Sequence, residues 1–163
     1  MDNSNVEIDS MLRKKILDTL DNQSAINIQV NFWLNEMMKY HGVNYSAYRI
    51  IRLLRRYPDG IEPSVIADKL AIIRQTATNM VDDLQKKYLV KRIPHPVDRR
   101  RVIVKLTQDG IELANKLVEE MASVQNNVLS QFTKEEMEKY LDIRTKIIKY
   151  TEDEIKKRYA EEG

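Results

Sequence analysis

Apolar residues recur along most of this chain at three- and four-residue intervals, the spacing that buries one side of a helix. Leu12, Ile16, Leu17 and Leu20 predict a first helix over Met11–Leu20. Asp21-Asn22-Gln23-Ser24 offers cap chemistry for a second helix from Ser24 to His41, although one continuous helix fits the same pattern. Ile26, Val30, Trp33, Leu34, Met37 and Met38 give the second helix a wide apolar face, and Gly42 stops it. Asn44 caps a third helix, Tyr45–Tyr57, with Tyr48, Ile51 and Leu54 inward and Ile50 and Leu53 beside them. After the turn Pro58-Asp59-Gly60, the segment Glu62–Leu70 reads as a fourth helix with Pro63 in its first turn and Val65, Ile66 and Leu70 inward. Ala71-Ile72-Ile73 links it to a fifth, Arg74–Tyr88, whose core side is Ala77, Met80, Val81 and Leu84.

The period then changes. Leu89–Pro94 and Val102–Leu106 have strand character, and the bend between them carries Arg99, Arg100 and Arg101. Pro94 and Pro96 cannot donate to a strand ladder, so the bend projects. Helical spacing returns over Gln108–Phe132, about seven turns. Thr133 and Glu136 form a capping box for a last helix reaching Arg158, with Met137, Leu141, Arg144, Ile148, Thr151 and Ile155 along one seam. So small a central module cannot cover such long terminal helices, and a second copy of the chain is the simplest cover. The fold class is mainly α: a winged helix-turn-helix head with a small β-hairpin wing, plus long N- and C-terminal dimerisation helices. The domains expected are an extension at 1–23, a helical dimerisation region at 24–43 and 108–160, and a DNA-binding head at 44–107.

Charge changes the picture more than composition does. A chain of 163 residues with 42% hydrophobic and 32% charged residues is an ordinary globular chain. Its net charge of +2 points to no polyanion. However, the stretch from Arg49 to Lys105 holds 14 Lys/Arg against 6 Asp/Glu, while both flanks are acidic. That concentration is the electrostatic footprint of duplex DNA. On the fifth helix Arg74, Gln75, Thr76, Thr78 and Asn79 face away from the core, and these are side chains that bond base edges in a major groove. Arg52, Arg55, Lys69 and Lys86 suit phosphates, which position without specifying. Three guanidinium groups on a projecting tip suit a narrow minor groove, and Asp98 is placed to orient Arg100. His95 falls beside them on the wing.

Other chemistry is thinly supplied. Cys is absent, which removes disulfides and thiolate sites, and the two histidines are far apart, so no metal is expected. There is no Gly-rich phosphate loop and no nucleophile–base set, so the chain reads as neither enzyme nor cofactor protein. No apolar run spans a bilayer and Met1–Asp9 is polar, which places the protein in a cytoplasm with no membrane partner. A winged-helix adaptor that binds proteins instead of DNA is the alternative, and it would have little use for both the polar helix face and the arginine tip.

Two motifs in order, Ile66-Ala67-Asp68-Lys69-Leu70 followed by Arg74 to Val90, and Asp98-Arg99-Arg100-Arg101-Val102-Ile103-Val104-Lys105-Leu106-Thr107-Gln108-Asp109-Gly110, resemble the MarR family of transcription regulators. The resemblance runs from about Ile26 to the C-terminus. It implies a homodimer on a pseudo-palindromic operator, acting as a repressor released by a small ligand. It also implies recognition through Arg74, Gln75, Thr76, Thr78 and Asn79, with Arg99, Arg100 and Arg101 in the minor groove and Asp98 in support. The chain departs from the family pattern with Ala71 in place of a turn glycine and Ile73 in place of a capping serine. The ligand pocket implied by the family would fall near Trp33, Met37, Tyr40, His41, Tyr45, Tyr48 and Arg52, fit for a small aromatic or phenolic effector. The same side chains also read as core and interface filling.

Overall fold

The computed structural model describes residues 10–21, 23–98 and 100–160, and of their side chains all but those at 16, 17, 19–21 and 23–27. The polar start, Asn22, Arg99 and the side chains of Ile16, Leu17, Leu20 and Ile26 therefore lie outside the described residues. Seven helices and a hairpin are seen among them: α1 (Ser10–Asp21), α2 (Gln23–Lys39), α3 (Tyr45–Arg55), α4 (Pro63–Leu70), α5 (Arg74–Lys86), β1 (Val90–Pro94), β2 (Val102–Leu106), α6 (Gln108–Leu129) and α7 (Lys134–Ala160). They fall into two compact units, one up to Val118 and one from Glu119.

The first unit holds the head. Tyr48, Ile50, Ile51 and Leu54 of α3 are buried, and α4 and α5 pack on them through Ile66, Ala67, Ala77, Val81 and Leu84. Val90, Val104 and Leu106 from the strands, and Ala114 and Leu117 from the opening turns of α6, are also buried. Val65, Leu70 and Met80, expected inward, are only half-buried. Ile50, expected at the margin, is fully buried. Of the predicted α2 face, Met38 is fully buried and Leu34 and Met37 are half-buried, whereas Val30 and Trp33 nearer its start stay 52% and 69% exposed.

Local chemistry sets the ends. Asn44 Oδ1 accepts from the Ala47 amide at 2.7 Å, capping α3 as its sequence predicts. The C-termini of α3 and α5 come two residues earlier than the periodicity suggests. Arg56 and Tyr57 donate to carbonyls three residues back, which tightens the last turn out of α geometry. Between α4 and α5, Ala71 adopts the left-handed conformation (φ 51°, ψ 48°), and Ile72 donates to Ala67 O at 3.0 Å. The turn therefore closes without glycine. Arg49 of α3 donates to Leu70 O at 2.9 Å and satisfies one of the carbonyls that α4 leaves open.

β1 and β2 pair antiparallel with Val90 opposite Leu106 and Pro94 opposite Val102. A third segment joins them that periodicity does not reveal: Ile61 exchanges both backbone bonds with Val104, at 3.0 and 2.9 Å. Gly60 allows this approach, because a Cβ there would stand 2.4 Å from Ile103 Cγ2 and 2.6 Å from Val104 O. One residue ties the hairpin to the segment before α4 by an isolated bridge, and a single pair leaves no alternation to read.

The second unit contains the end of α6 and α7. The capping box forms, with Thr133 N donating to Glu136 Oε2 at 2.8 Å and Glu136 N to Thr133 Oγ1 at 3.2 Å. No residue of α7 is buried, and Leu141, Ile148 and Ile155 of the predicted seam are each more than half exposed. Among the described residues no helix is long and apolar enough to cross a membrane, and no cluster of His, Asp or Glu has metal-binding geometry.

Candidate nucleic-acid interface

α5 is built with its polar side outward. Ala77, Val81 and Leu84 hold one face in the core, which leaves Arg74, Gln75, Thr76 and Asn79 exposed and Thr78 half-buried. Gln75 Nε2 donates to Asn79 Oδ1 at 2.8 Å. Gln75 Oε1 and Asn79 Nδ2 take no part in this bond, so the pair still offers an acceptor and a donor, the kinds of group that adenine's N6 and N7 bond. Thr78 Oγ1 donates back to Arg74 O at 3.1 Å, so its proton is committed and its methyl and oxygen lone pairs are what remain to offer. The helix begins at Ile73, whose side chain makes no cap bond. The first amides of α5 therefore lack a side-chain cap from that position.

The wing tip is knotted by its own backbone. His95 N donates to Arg101 O at 3.0 Å, and Arg101 N donates to Asp98 O at 2.9 Å. His95 Nδ1 accepts from the amides of Val97 and Asp98 at 3.2 and 3.3 Å, the role an Asp or Asn oxygen usually plays in a turn. His95 is thus a turn former within the wing on which the sequence places it. Asp98 differs from expectation. Its Oδ1 accepts from the backbone amide of Arg100 at 3.0 Å and not from the guanidinium. It shapes the tip and leaves the Arg100 side chain exposed, with no partner among the described residues. Arg101 points elsewhere, with both Nε and Nη2 donating to the Glu62 carboxylate. Arg99 lies outside the described residues.

The basic residues assigned to phosphates all have intramolecular neighbours. Arg55 Nε donates to Asn115 Oδ1 at 2.7 Å, Lys69 Nζ lies 5.2 Å from the Tyr57 ring centre, and Lys86 Nζ pairs with Asp83 at 3.1 Å. Arg52 sits 5.7 Å from the Tyr48 ring. Each remains exposed, so these contacts orient the charge without hiding it. Two structural arginines escape the sequence reading because each finds its partner on another element. Arg49 closes α4, and Arg92 on β1 reaches α5, donating to Asp82 Oδ1 at 2.5 Å and to Gln85. Arg92 ties the hairpin to α5.

The suggested effector residues do not share one wall. Tyr48 is buried and stacks on Tyr45 at 5.8 Å, whereas Trp33 and Tyr40 are 69% and 90% exposed. Met37, His41 and Tyr45 are half-buried between these extremes. Burial raises the Tyr48 hydroxyl above the ordinary tyrosine range, against the pull of the Arg52 guanidinium.

A two-helix reader beside a hairpin tied to it by backbone bonds and Arg92 defines a winged helix-turn-helix protein. The MarR family model matches residues 41–101. The regulator PecS of Dickeya dadantii is 31% identical over 115 residues, covering 69% of each chain. MhqR of Bacillus subtilis is 31% identical over 110 residues, covering 67% of this chain and 74% of MhqR. The fold is shared with the DNA complex of S. aureus MepR, at a TM-score of 0.71 and 22% identity over 78% of this chain and 94% of that one. It is shared equally with an E. coli MarR variant complexed with operator DNA, at a TM-score of 0.71 and 22% identity over 83% and 97%. The chain belongs to the MarR family of transcriptional regulators.

Proposed function

We propose that the protein is a homodimeric, sequence-specific DNA-binding regulator. Arg74, Gln75, Thr76, Thr78 and Asn79 enter the major groove, and Arg100 enters the adjacent minor groove. The carrying observation is that an adenine-competent amide pair and a free guanidinium sit on one compact unit, tied together by Arg92. Arg52, Arg55, Lys69 and Lys86 supply phosphate contacts. The solved neighbours MepR and MarR carry DNA in their structures, which supports the same use of this head.

In this reading residues 24–43 and 108–160 form the dimerisation region and 44–107 the reading head, with 1–23 an added segment. Two heads then sit on half-sites about one helical turn apart in a pseudo-palindrome. The regulator works in the cytoplasm as a repressor, without catalysis, and a small aromatic or phenolic ligand near Tyr45, Tyr48 and Arg52 releases it.

Selecting duplexes from a random pool and titrating them by anisotropy tests the proposal. The parent binds with a steep salt dependence, and Arg100→Ala weakens binding by about 1–3 kcal/mol without unfolding the protein. A parent that ignores every duplex at low salt favours the protein-binding adaptor instead.

A further inference from the structure

We propose that Glu62 and Arg101 form a strut that sets the position of the wing tip, so that Arg101 is a positioning residue and not a third arginine for the groove. The proposal rests on the DNA-binding reading above. Arg101 stands where the tip turns into β2. Its Nε donates to Glu62 Oε2 at 3.1 Å, and its Nη2 donates to the other carboxylate oxygen. Two parallel bonds fix both the direction and the plane of a guanidinium, which a single contact does not.

The carboxylate end of the strut is well anchored. Glu62 follows Ile61, which exchanges both backbone bonds with Val104, and precedes Pro63, the first residue of α4. Its side chain is 19% exposed, against 52% for Arg101. Glu62 also occupies the N-cap position of α4, where a carboxylate ordinarily accepts from the first helical amides. It makes no such bond. Both oxygens serve the wing, and the helix start goes without a side-chain cap.

The wing end transmits this restraint. Arg101 N bonds to Asp98 O, Arg101 O accepts from His95 N, and Asp98 Oδ1 holds the Arg100 amide. Moving Arg101 therefore moves the tip as a piece, with the Arg100 side chain beside it. A guanidinium committed to a carboxylate would have to break two bonds to reach a phosphate. One held in place keeps its neighbour aimed at the groove at a lower ordering cost on binding.

Simple electrostatics and the strut predict opposite signs for one substitution. Removing a carboxylate next to a DNA-binding surface should tighten binding, because it removes repulsion from phosphates. If Glu62 positions the wing, Glu62→Gln weakens binding instead. The test uses the full chain and the selected duplex over a series of salt concentrations, with Glu62→Gln, Arg101→Gln, Arg101→Lys and the control Arg100→Ala. Each of the first three weakens binding by about 5- to 10-fold, with the parent's slope of log Kd on log salt retained. Arg100→Ala, by contrast, flattens that slope by about one contact. Arg101→Lys falls with Arg101→Gln, because it keeps the charge and loses the fork.

Tighter or unchanged binding by Glu62→Gln overturns the strut. So does a flatter slope for Arg101→Gln, or parental binding by Arg101→Lys. If the parent itself binds no duplex, the DNA reading has failed and hydrogen exchange of the free protein decides the strut. Faster exchange of the Arg100 and Arg101 amides in Glu62→Gln supports it, and unchanged exchange overturns it.

Discussion

From α3 to the opening of α6, every helix and both strands bury at least one apolar side chain, whereas α7 buries none along its 27 residues. Yet α7 is no less patterned. Leu141, Ile148 and Ile155 keep a seven-residue repeat, and Thr133 with Glu136 starts the helix cleanly. Exposed pairs four residues apart, such as Lys134 with Glu138 and Lys146 with Asp142, line its surface. The head is specified by contacts within one chain. The long helix has local instructions for being a helix and an apolar seam that stays exposed among the described residues. Fully burying a Leu or Ile is worth roughly 1.5–3 kcal/mol, so several such residues in water favour association strongly. That contrast supports the homodimer.

The largest effect should come from breaking the seam. Ile148→Asp places a charge where the proposed interface excludes water, and the dimer should dissociate at least about 100-fold more readily. Light scattering over a dilution series would show a parent of twice the chain mass and a variant of one. DNA binding should fall with it, since two half-sites would no longer be held together. A variant that stays dimeric means that another face, for instance Val30 and Trp33 of α2, carries the association. The comparison would then have to be redrawn.

A substitution in the head should separate the regions further. Leu54 is 1% exposed, and Leu54→Ala should cost about 2–5 kcal/mol in denaturant unfolding. Ile148→Ala, measured on dissociated chains at high dilution, should cost less than about 0.5 kcal/mol. Equal costs would mean that α7 has a buried place within its own chain.

Much of this was legible from spacing alone. Helices show because their apolar residues recur within a few positions, and the head's second and third helices and the hairpin fall within one or two residues of where the pattern places them. The polar face of α5 was legible for the same reason: residues facing away from Ala77, Val81 and Leu84 have nowhere else to point. Contacts between distant positions were not. Nothing near Glu62 in sequence announces Arg101, and Arg92 reads as one more basic residue until its strand is laid across Asp82 and Gln85. Three adjacent arginines look equivalent in a string of letters. In the fold Arg100 is free among the described residues and Arg101 is bound to a carboxylate, because the two stand at different points of the turn that leads into β2 and only Arg101 comes within reach of Glu62. Trp33 and Tyr40 are exposed in the single chain, and aromatic type alone does not say what covers such a ring.

The smallest effect concerns the joint between α5 and β1. Tyr88 has φ 59°, a conformation that costs a residue with a side chain roughly 1–2 kcal/mol and glycine nothing. The joint demands it. Tyr88 N bonds to Gln85 O at 2.9 Å and Leu89 N to Leu84 O at 3.0 Å, which reverses the chain out of the helix. Thr107 Oγ1 then donates to Tyr88 O at 2.7 Å. The ring is 78% exposed, so its removal forfeits little packing. Tyr88→Gly should relieve the strain but enlarge the freedom of the unfolded chain. The net gain is then about 0.5–1 kcal/mol, or a rise in Tm of roughly 2–4 °C. Because the joint belongs to the head, the gain should appear in Leu54→Ala as fully as in the parent and leave the dimer's dissociation constant unchanged. A loss of stability would mean that the ring makes a contact the free chain needs. A changed dissociation constant would mean that head and terminal helices are not energetically separate, and the contrast between them would fail.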